Sequence, residues 1–372
     1  MRWFLVIFLT VYTGLHVIFY RDIRPLLPPG RAPRLLIWAW FVLMILAPMI
    51  TVLAAAWGHP GLSRLAGTVG FWWMGYLFIS LLCLLALFLL RLLALPFSRA
   101  AWNWRRPVAL ALGAALILTA YAGWSATQVR LARVTVVTAK LPAGVERLSI
   151  AVTSDLHLGL PGGASRLRRA LKIISAARPE LWVDAGDMWD RPLLDARELT
   201  GLMAAVRPPL GKYAVGGNHE NYVGLATAIS LYQAAGFVFL NDRGVPVGRS
   251  LNLAGVIDTR GPQPQRDAAA LAGLDPRRFT LFLRHRPDFN PAMRGRVDLQ
   301  VSGHTHGGQI WPFHYVVKSI FPLFQGLHDL GQGTLVYTSR GTGTWGPPLR
   351  LLAPPEITLI ELARRLPATP SR

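Results

Sequence analysis

Four stretches of the chain carry no charged residue: 3–20, 35–57, 66–90 and 108–127, of 18, 23, 25 and 20 residues. About 20 apolar residues cross a bilayer core as helix, and helix is required there because lipid offers backbone groups no hydrogen-bond partner. The first stretch follows Arg2 and has the outline of a signal peptide. It runs through Ile18, Phe19 and Tyr20 into Arg21 with no small-residue cleavage pattern, and three further spans follow. It therefore reads as a retained helix, and residues 1–127 as a four-helix transmembrane unit.

From Leu148 the pattern changes to short apolar runs separated by amphipathic ones. Strands are predicted over 149–153, 181–185 and 213–216, and helices over 165–177, 196–206 and 225–235. Strands alternating with helices imply largely parallel pairing with both faces covered. Further strands, predicted over 252–257, 279–283, 299–302, 334–338 and 357–362, are expected to close a second sheet. Residues 128–147 read as a stalk or first strand, because Val134, Thr135, Val136 and Val137 are all β-branched. The expected organisation is a transmembrane unit over 1–127, that connecting stretch, a second domain over 148–363 and a tail over 364–372.

Composition sharpens this division. The 372 residues are 52% hydrophobic and 16% charged, with mean hydropathy +0.36, against about 25% charged in a soluble protein. Disorder is excluded, since disordered chains are poor in apolar residues. One cysteine, Cys83, excludes a disulfide-stapled module. Residues 1–147 hold 14 Lys and Arg and only two acids, Asp22 and Glu146, so 17 of the 19 carboxylates lie beyond them. Net charge is +20, which raises the question of nucleic acid. Arginine outnumbers lysine 35 to 4 and much of the charge flanks apolar segments, so no nucleic-acid partner is expected.

Charge also sets an expected orientation. Arg21, Arg24, Arg31, Arg34, Arg91, Arg99, Arg105 and Arg106 lie in the two loops on one side, against Arg2 and Arg64 on the other. Positive residues stay in the cytoplasm, so the second domain is expected to face outward. Adding Arg130, Arg133, Lys140 and Arg147 narrows the ratio to eight against six. Within the spans only His16 is ionisable, which favours an anchor over a transport pathway. Trp38, Trp40, Trp72, Trp73 and Trp124 read as interfacial or packing aromatics.

Candidate chemistry lies just past the predicted strands, where ligand sites of such sheets form. Asp155 and His157 stand in a DLHLG turn, and Asp187, Asp190 and Arg191 in GDMWDR. Asn218, His219 and Glu220 follow two glycines, His285 lies in RHRPD, and His304 and His306 in SGHTHGGQ. Singly, each could be a cap, a turn or a packed histidine. Together two Asp, one Asn and four His make a hard nitrogen–oxygen set without thiolate, suited to Mn, Fe or Zn. Seven ligands exceed one ion with an open position and suit two ions about 3.5–4 Å apart sharing a carboxylate.

In this order the clusters DLH, GDMWD, GNHE, a lone His and GHTH resemble the calcineurin-like metallophosphoesterase superfamily. GHTHGGQI and the tail containing Ser339, Arg340, Gly341, Leu349, Arg350 and Pro355 resemble its bacterial membrane-associated branch. The resemblance runs from about 148 to 363. It implies a four-layer α/β/β/α sandwich and two divalent metal ions. By motif, Asp155, His157 and His306 match ligands of the first metal, Asn218, His285 and His304 those of the second, and Asp187 the bridging carboxylate. It further implies that His219 donates a proton to the leaving oxygen or contacts the phosphate, that Asp190 orients it, and that Arg191 clamps the phosphate. Pro192 stands where glycine often follows, a departure that bears on Arg191. Glu220 matches a position without chemistry. The implied reaction is in-line attack on phosphorus by a metal-bridged hydroxide.

Three readings stay open at this stage: a membrane-anchored hydrolase of a lipid-linked or envelope phosphoester, a tethered nucleotide phosphodiesterase, and a non-catalytic metal-binding sensor. The first implies a bacterial inner-membrane location with the lipid bilayer as partner. Oligomeric state is not legible. Trp189, Trp311, Phe313, Phe321 and Phe324 either form an apolar rim for an acyl chain or pack in the core.

Overall fold

The computed structural model describes residues 2–94, 103–159, 162–259, 261 and 263–365. Arg99 of the second basic loop and most of the predicted tail lie outside them. The chain forms two compact units, Met1–Ser125 with Gly346–Leu349, and Ala126–Trp345 with Arg350–Arg372.

The first unit holds α1 (Arg2–Ile23), α2 (Arg31–Ala56), α3 (Pro60–Ala94) and α4 (Arg105–Thr127), all long and apolar enough to cross a membrane. The helices outrun the uncharged stretches because terminal arginines such as Arg64 and Arg91 continue the helix; such side chains reach polar surroundings along their apolar stems. Gly58 and Pro60 instead mark the break between α2 and α3. Tyr12, Phe19, Phe41, Leu77 and Leu84 fill the interior. His16 sits among them with both ring nitrogens satisfied. Its Nδ1 lies 2.8 Å from the Tyr12 carbonyl, and its Nε2 accepts from Trp73 at 2.9 Å.

The second unit is built on two six-stranded sheets. The first sheet contains β1 (Arg130–Thr138), β2 (Arg147–Thr153), β3 (Leu181–Asp184), β4 (Lys212–Ala214), β5 (Val238–Phe239) and β12 (Glu356–Arg364), in the order β1-β12-β2-β3-β4-β5. The second contains β6 (Arg243–Val247), β7 (Leu251–Gly255), β8 (Phe279–Leu283), β9 (Leu299–Ser302), β10 (Gly326–Asp329) and β11 (Leu335–Thr338), in the order β10-β11-β9-β8-β7-β6. β2 through β5 run parallel, as do β7, β8, β9 and β11.

Alternation along each strand assigns its faces. Ile150, Val152, Ile360 and Leu362 of the first sheet meet Leu251, Leu253, Leu281 and Leu283 of the second. Ala151, Trp182, Ala214 and Ile357 turn instead toward α5 (Gly163–Ala177), α6 (Ala196–Ala204) and α8 (Leu225–Ala234). Ala254 and Phe282 turn toward α9 (Pro264–Ala270). The result is the expected α/β/β/α sandwich.

One strand departs from expectation. Residues 357–362, predicted for the second sheet, lie inside the first, as β12 between β1, to which it is parallel, and β2, to which it is antiparallel. Ile357 and Leu359 share one face and Ile360 and Leu362 the other, and a strand apolar on both faces fits the middle of either sheet, so the local pattern carries no information about the partner. Trp189 is also settled: it is fully buried in the helix-side core and forms no rim.

Ile360 is fully buried between the sheets near the centre of the domain. Ile360→Ala should cost about 2–5 kcal/mol of stability, read as a lower denaturation midpoint for the detergent-solubilised protein.

Candidate metal centre

Every polar cluster predicted from the sequence follows the carboxyl end of a parallel strand. Asp155 and His157 follow β2, Asp187 and Asp190 follow β3, and Asn218 and His219 open α7 (Asn218–Val223) just after β4. His285 follows β8, while His304 and His306 follow β9. The cluster therefore spans both sheets, and the core between them sets its dimensions.

The loops knit together by backbone. Asp155 N–H donates to the Gly186 carbonyl at 2.9 Å, His157 N–H to Asp187 at 3.0 Å, and Gly303 N–H to His285 at 2.8 Å. Asp155, His157, Asp187, His304 and His306 all have φ between 48° and 73°. Non-glycine residues rarely adopt this left-handed conformation, and at functional sites it is held by the surrounding structure. Gly217 and Gly303 are required for a different reason: a Cβ at Gly217 would strike the Asp187 carboxylate, and one at Gly303 the Asp155 carboxylate and Ser154.

Three overlapping groups of ligand atoms result: Asp155, His157 and His306; His157, Asp187 and His219; and Asp187, His285 and His304. His157 Nε2 lies 3.1 Å from His306 Nε2, and His285 Nε2 lies 3.2 Å from His304 Nδ1. Each pair brings two ring nitrogens to hydrogen-bonding distance, where a cation would take both in place of a shared proton. Asp187 Oδ2 sits 3.1 Å from His285 Nε2 and 3.9 Å from His219 Nε2.

Acceptors that cannot donate fix the rings. His285 Nδ1 donates to the Ala185 carbonyl at 2.9 Å, leaving Nε2 to face Asp187. Asp190 takes His157 Nδ1 at 2.9 Å on one oxygen and His219 Nδ1 at 2.7 Å on the other. It thus orients two histidines, where the sequence suggested one. This is the usual outer support of metal-binding imidazoles, and the donor set fits divalent cations.

Electrostatics follow from burial and neighbours. Burial pushes Asp187 up, but the facing His285, with His219 and His157, overrides it and holds the carboxyl well below its ordinary range. Asp190 is likewise lowered, its bonds to His157 and His219 outweighing burial. Burial would lower His219, yet Asp190 and Asp187 raise it to about 9. His285 rises to about 10 against burial through Asp187. Burial, His285 and Arg286 lower His304 to about 2.

Asn218 is half-buried, with Oδ1 3.5 Å from Arg286 Nη2. Arg191 is exposed and donates from Nη2 to the Val223 carbonyl at 2.7 Å, a contact the motif did not suggest.

Other supports escaped sequence reasoning. Glu220 is fully buried and accepts from the backbone N–H of Gly217 at 2.6 Å, Asp187 at 2.9 Å and Trp189 at 3.1 Å. Arg350, also fully buried, donates to the carbonyls of His306 at 2.6 Å and Arg340 at 2.8 Å. Its Nη2 lies 3.2 Å from His306 Nδ1. Arg286 anchors on Asp258 at 2.8 Å and reaches His304 Nε2 at 3.0 Å. The signal available for Arg350 was an arginine set between Leu349 and Leu351.

Comparison with known proteins identifies the family. A family model described as calcineurin-like phosphoesterase matches residues 148–308. A metallophosphoesterase of Aquifex aeolicus is 34% identical over 254 residues, 67% of this chain and 97% of that protein. YkuE of Bacillus subtilis, also named a metallophosphoesterase, is 33% identical over 245 residues, 61% of this chain and 83% of that protein. A Danio rerio protein named as a transmembrane protein with a metallophosphoesterase domain is 30% identical over 274 residues, 69% of this chain. The match spans 63% of that longer relative.

Asp190→Ala should weaken divalent-cation binding by about 10–100-fold, because two imidazoles lose their orienting carboxylate. Competition against a chelating dye checks this, with circular dichroism confirming the fold.

Proposed function

The chain belongs to the calcineurin-like phosphoesterase family and is a phosphoester hydrolase, and from that premise we propose that four membrane helices anchor it and that it acts on a lipid-linked or cell-envelope phosphoester. The observation that carries the catalytic reading is the two facing histidine pairs, His157–His306 across the two sheets and His285–His304 within the second, with Asp187 within reach of both. Asp155, His157 and His306 would hold one divalent cation and Asn218, His285 and His304 the other, with Asp187 shared. Manganese, iron or zinc suits this set. The cations, when bound, supply an activated water nucleophile and offset charge on the phosphoryl oxygens.

The chain's own groups complete the site. Asp190 fixes His219 by Nδ1, which leaves Nε2 to give a proton to the departing oxygen. With its pKa raised to about 9 in the metal-free site, His219 is protonated at neutral pH. Arg191 keeps one nitrogen on the Val223 carbonyl and offers the rest of its fork to the phosphate. The reading of a lipid-linked substrate is supported by the four apolar helices and by aromatic rings at the site. Trp345 lies against His219 with centroids 5.8 Å apart, and Phe321 against His304 at 5.2 Å. Trp311 and Phe313 are exposed. The arginine asymmetry of the loops favours the hydrolase domain lying outside, and the resemblance to a bacterial membrane-associated branch favours a bacterial inner membrane.

The test is hydrolysis of a chromogenic diester by the full-length protein in detergent with Mn²⁺, beside a chelated sample. Asp187→Ala should abolish turnover, and wild-type rates in that variant would remove the shared-carboxylate assignment. His219→Ala should lower turnover by about 10²–10⁴-fold with metal content near normal. Because the protonated ring is the active form, kcat should fall as pH rises through the His219 pKa, and this alkaline limb should vanish in His219→Ala. Preference for soluble nucleotides over phosphoesters presented in lipid would replace the substrate assignment. Bound metal without turnover of either class would favour a sensor.

A further inference from the structure

Directly after the 304–309 motif lies α10 (Phe313–Ile320), eight residues long with none of them buried. Phe313, Val316, Val317 and Ile320 fall at i, i+3, i+4 and i+7, one face of a helix. Val316 is 52% and Ile320 63% exposed. A helix this short is marginal in water on its own, and a contiguous exposed apolar stripe marks an interaction surface. Trp311 and Tyr315 beside the stripe, with Lys318 as the helix's one charge, give the composition of an element lying in a membrane interface.

We propose that the apolar stripe of α10 lies in the surface layer of the bilayer that holds the four helices, so that a lipid surface adjoins the metal centre. This rests on the membrane-anchored reading above. The connection to the helices favours a bilayer over other occupants. Only residues 128 and 129 separate the end of α4 from the start of β1, which keeps the domain within reach of the membrane. The start of α10 is held to the domain: Gln309 and Trp345 exchange hydrogen bonds at 2.9 and 3.0 Å, and Trp311 N–H donates to the Leu351 carbonyl at 3.1 Å. At the other end of α10, the edge-to-face contact of Phe321 with His304 links the stripe to the site.

The chain's single cysteine makes a direct test practical. In a Cys83→Ser background, Val316→Cys is labelled with an environment-sensitive nitrobenzoxadiazole probe and the full-length protein is placed in lipid nanodiscs. Ser230→Cys, at an exposed position on α8, is the control. The expected result is blue-shifted emission at 316 that doxyl-labelled lipid quenches and iodide does not, with the reverse at 230. Iodide quenching at both positions in disc-bound protein overturns the inference and leaves the anchor standing. Failure of the protein to enter discs removes the anchor reading and the inference with it. Shielding at 316 from both quenchers, with energy transfer between differently labelled copies, assigns the stripe to a second copy and also overturns it.

Discussion

The second unit is organised around a buried charge problem. Asp155, Asp187, His157 and His285 are almost wholly out of solvent at the ends of strands from two sheets. Isolated charges of this kind cost several kcal/mol each even after relaxation, so the cluster persists only where each group answers another. Asp187 is answered by His285, and Asp190 by His157 and His219. The nitrogen pairs His157–His306 and His285–His304 have no carboxylate directly between them and are what a divalent cation would satisfy. Five of these residues sit at positive φ. The local backbone is therefore held in unfavourable conformations by the same network that positions the ligands.

That requirement explains features that look unrelated to the chemistry. Two ligand loops belong to the second sheet and the others to the first, so the inter-sheet core fixes their separation at interior packing density. Glu220 is placed among three backbone N–H groups and pins the Asp187 turn to the start of α7. Its carboxyl rises to about 7 through burial and the nearby Asp187, the mark of a group buried for support. Arg350 does the corresponding work on the other side. Burial lowers it to about 9, and backbone carbonyls take up its donors. It holds the 340–353 loop against the His306 turn, and that loop leads into β12, which closes the first sheet.

The part of this design that could be read in the sequence is the part with fixed spacing. Asp155 with His157, Asp187 with Asp190, and His304 with His306 are two or three residues apart in turns directly after apolar strands. The strand-then-turn pattern and the ligand pairs therefore appear in the same few letters. Sheet membership was not legible in this way. The Ile357, Leu359, Ile360 and Leu362 run of β12 is apolar on both faces and suits the middle of either sheet, and the partner, β1, lies more than 200 residues earlier. Trp189 shows the same limit: an aromatic beside Asp190 suits a rim as well as a core, and only tertiary packing against Tyr232 decides for the core. The double role of Asp190 was also hidden, because its second histidine, His157, is 33 residues away.

The geometry also restricts how the site can be reached and regulated. His306 and the first residue of α10 are separated by only six residues, two of which, Gln309 and Trp311, are hydrogen-bonded to the loop that Arg350 holds. The other end of the helix meets His304 through Phe321. α10 is therefore tied at both ends to the motif that carries His304 and His306. In a chain with four apolar helices, a short exposed amphipathic helix placed directly after the metal motif joins what lies at the domain surface to groups that would hold the cations.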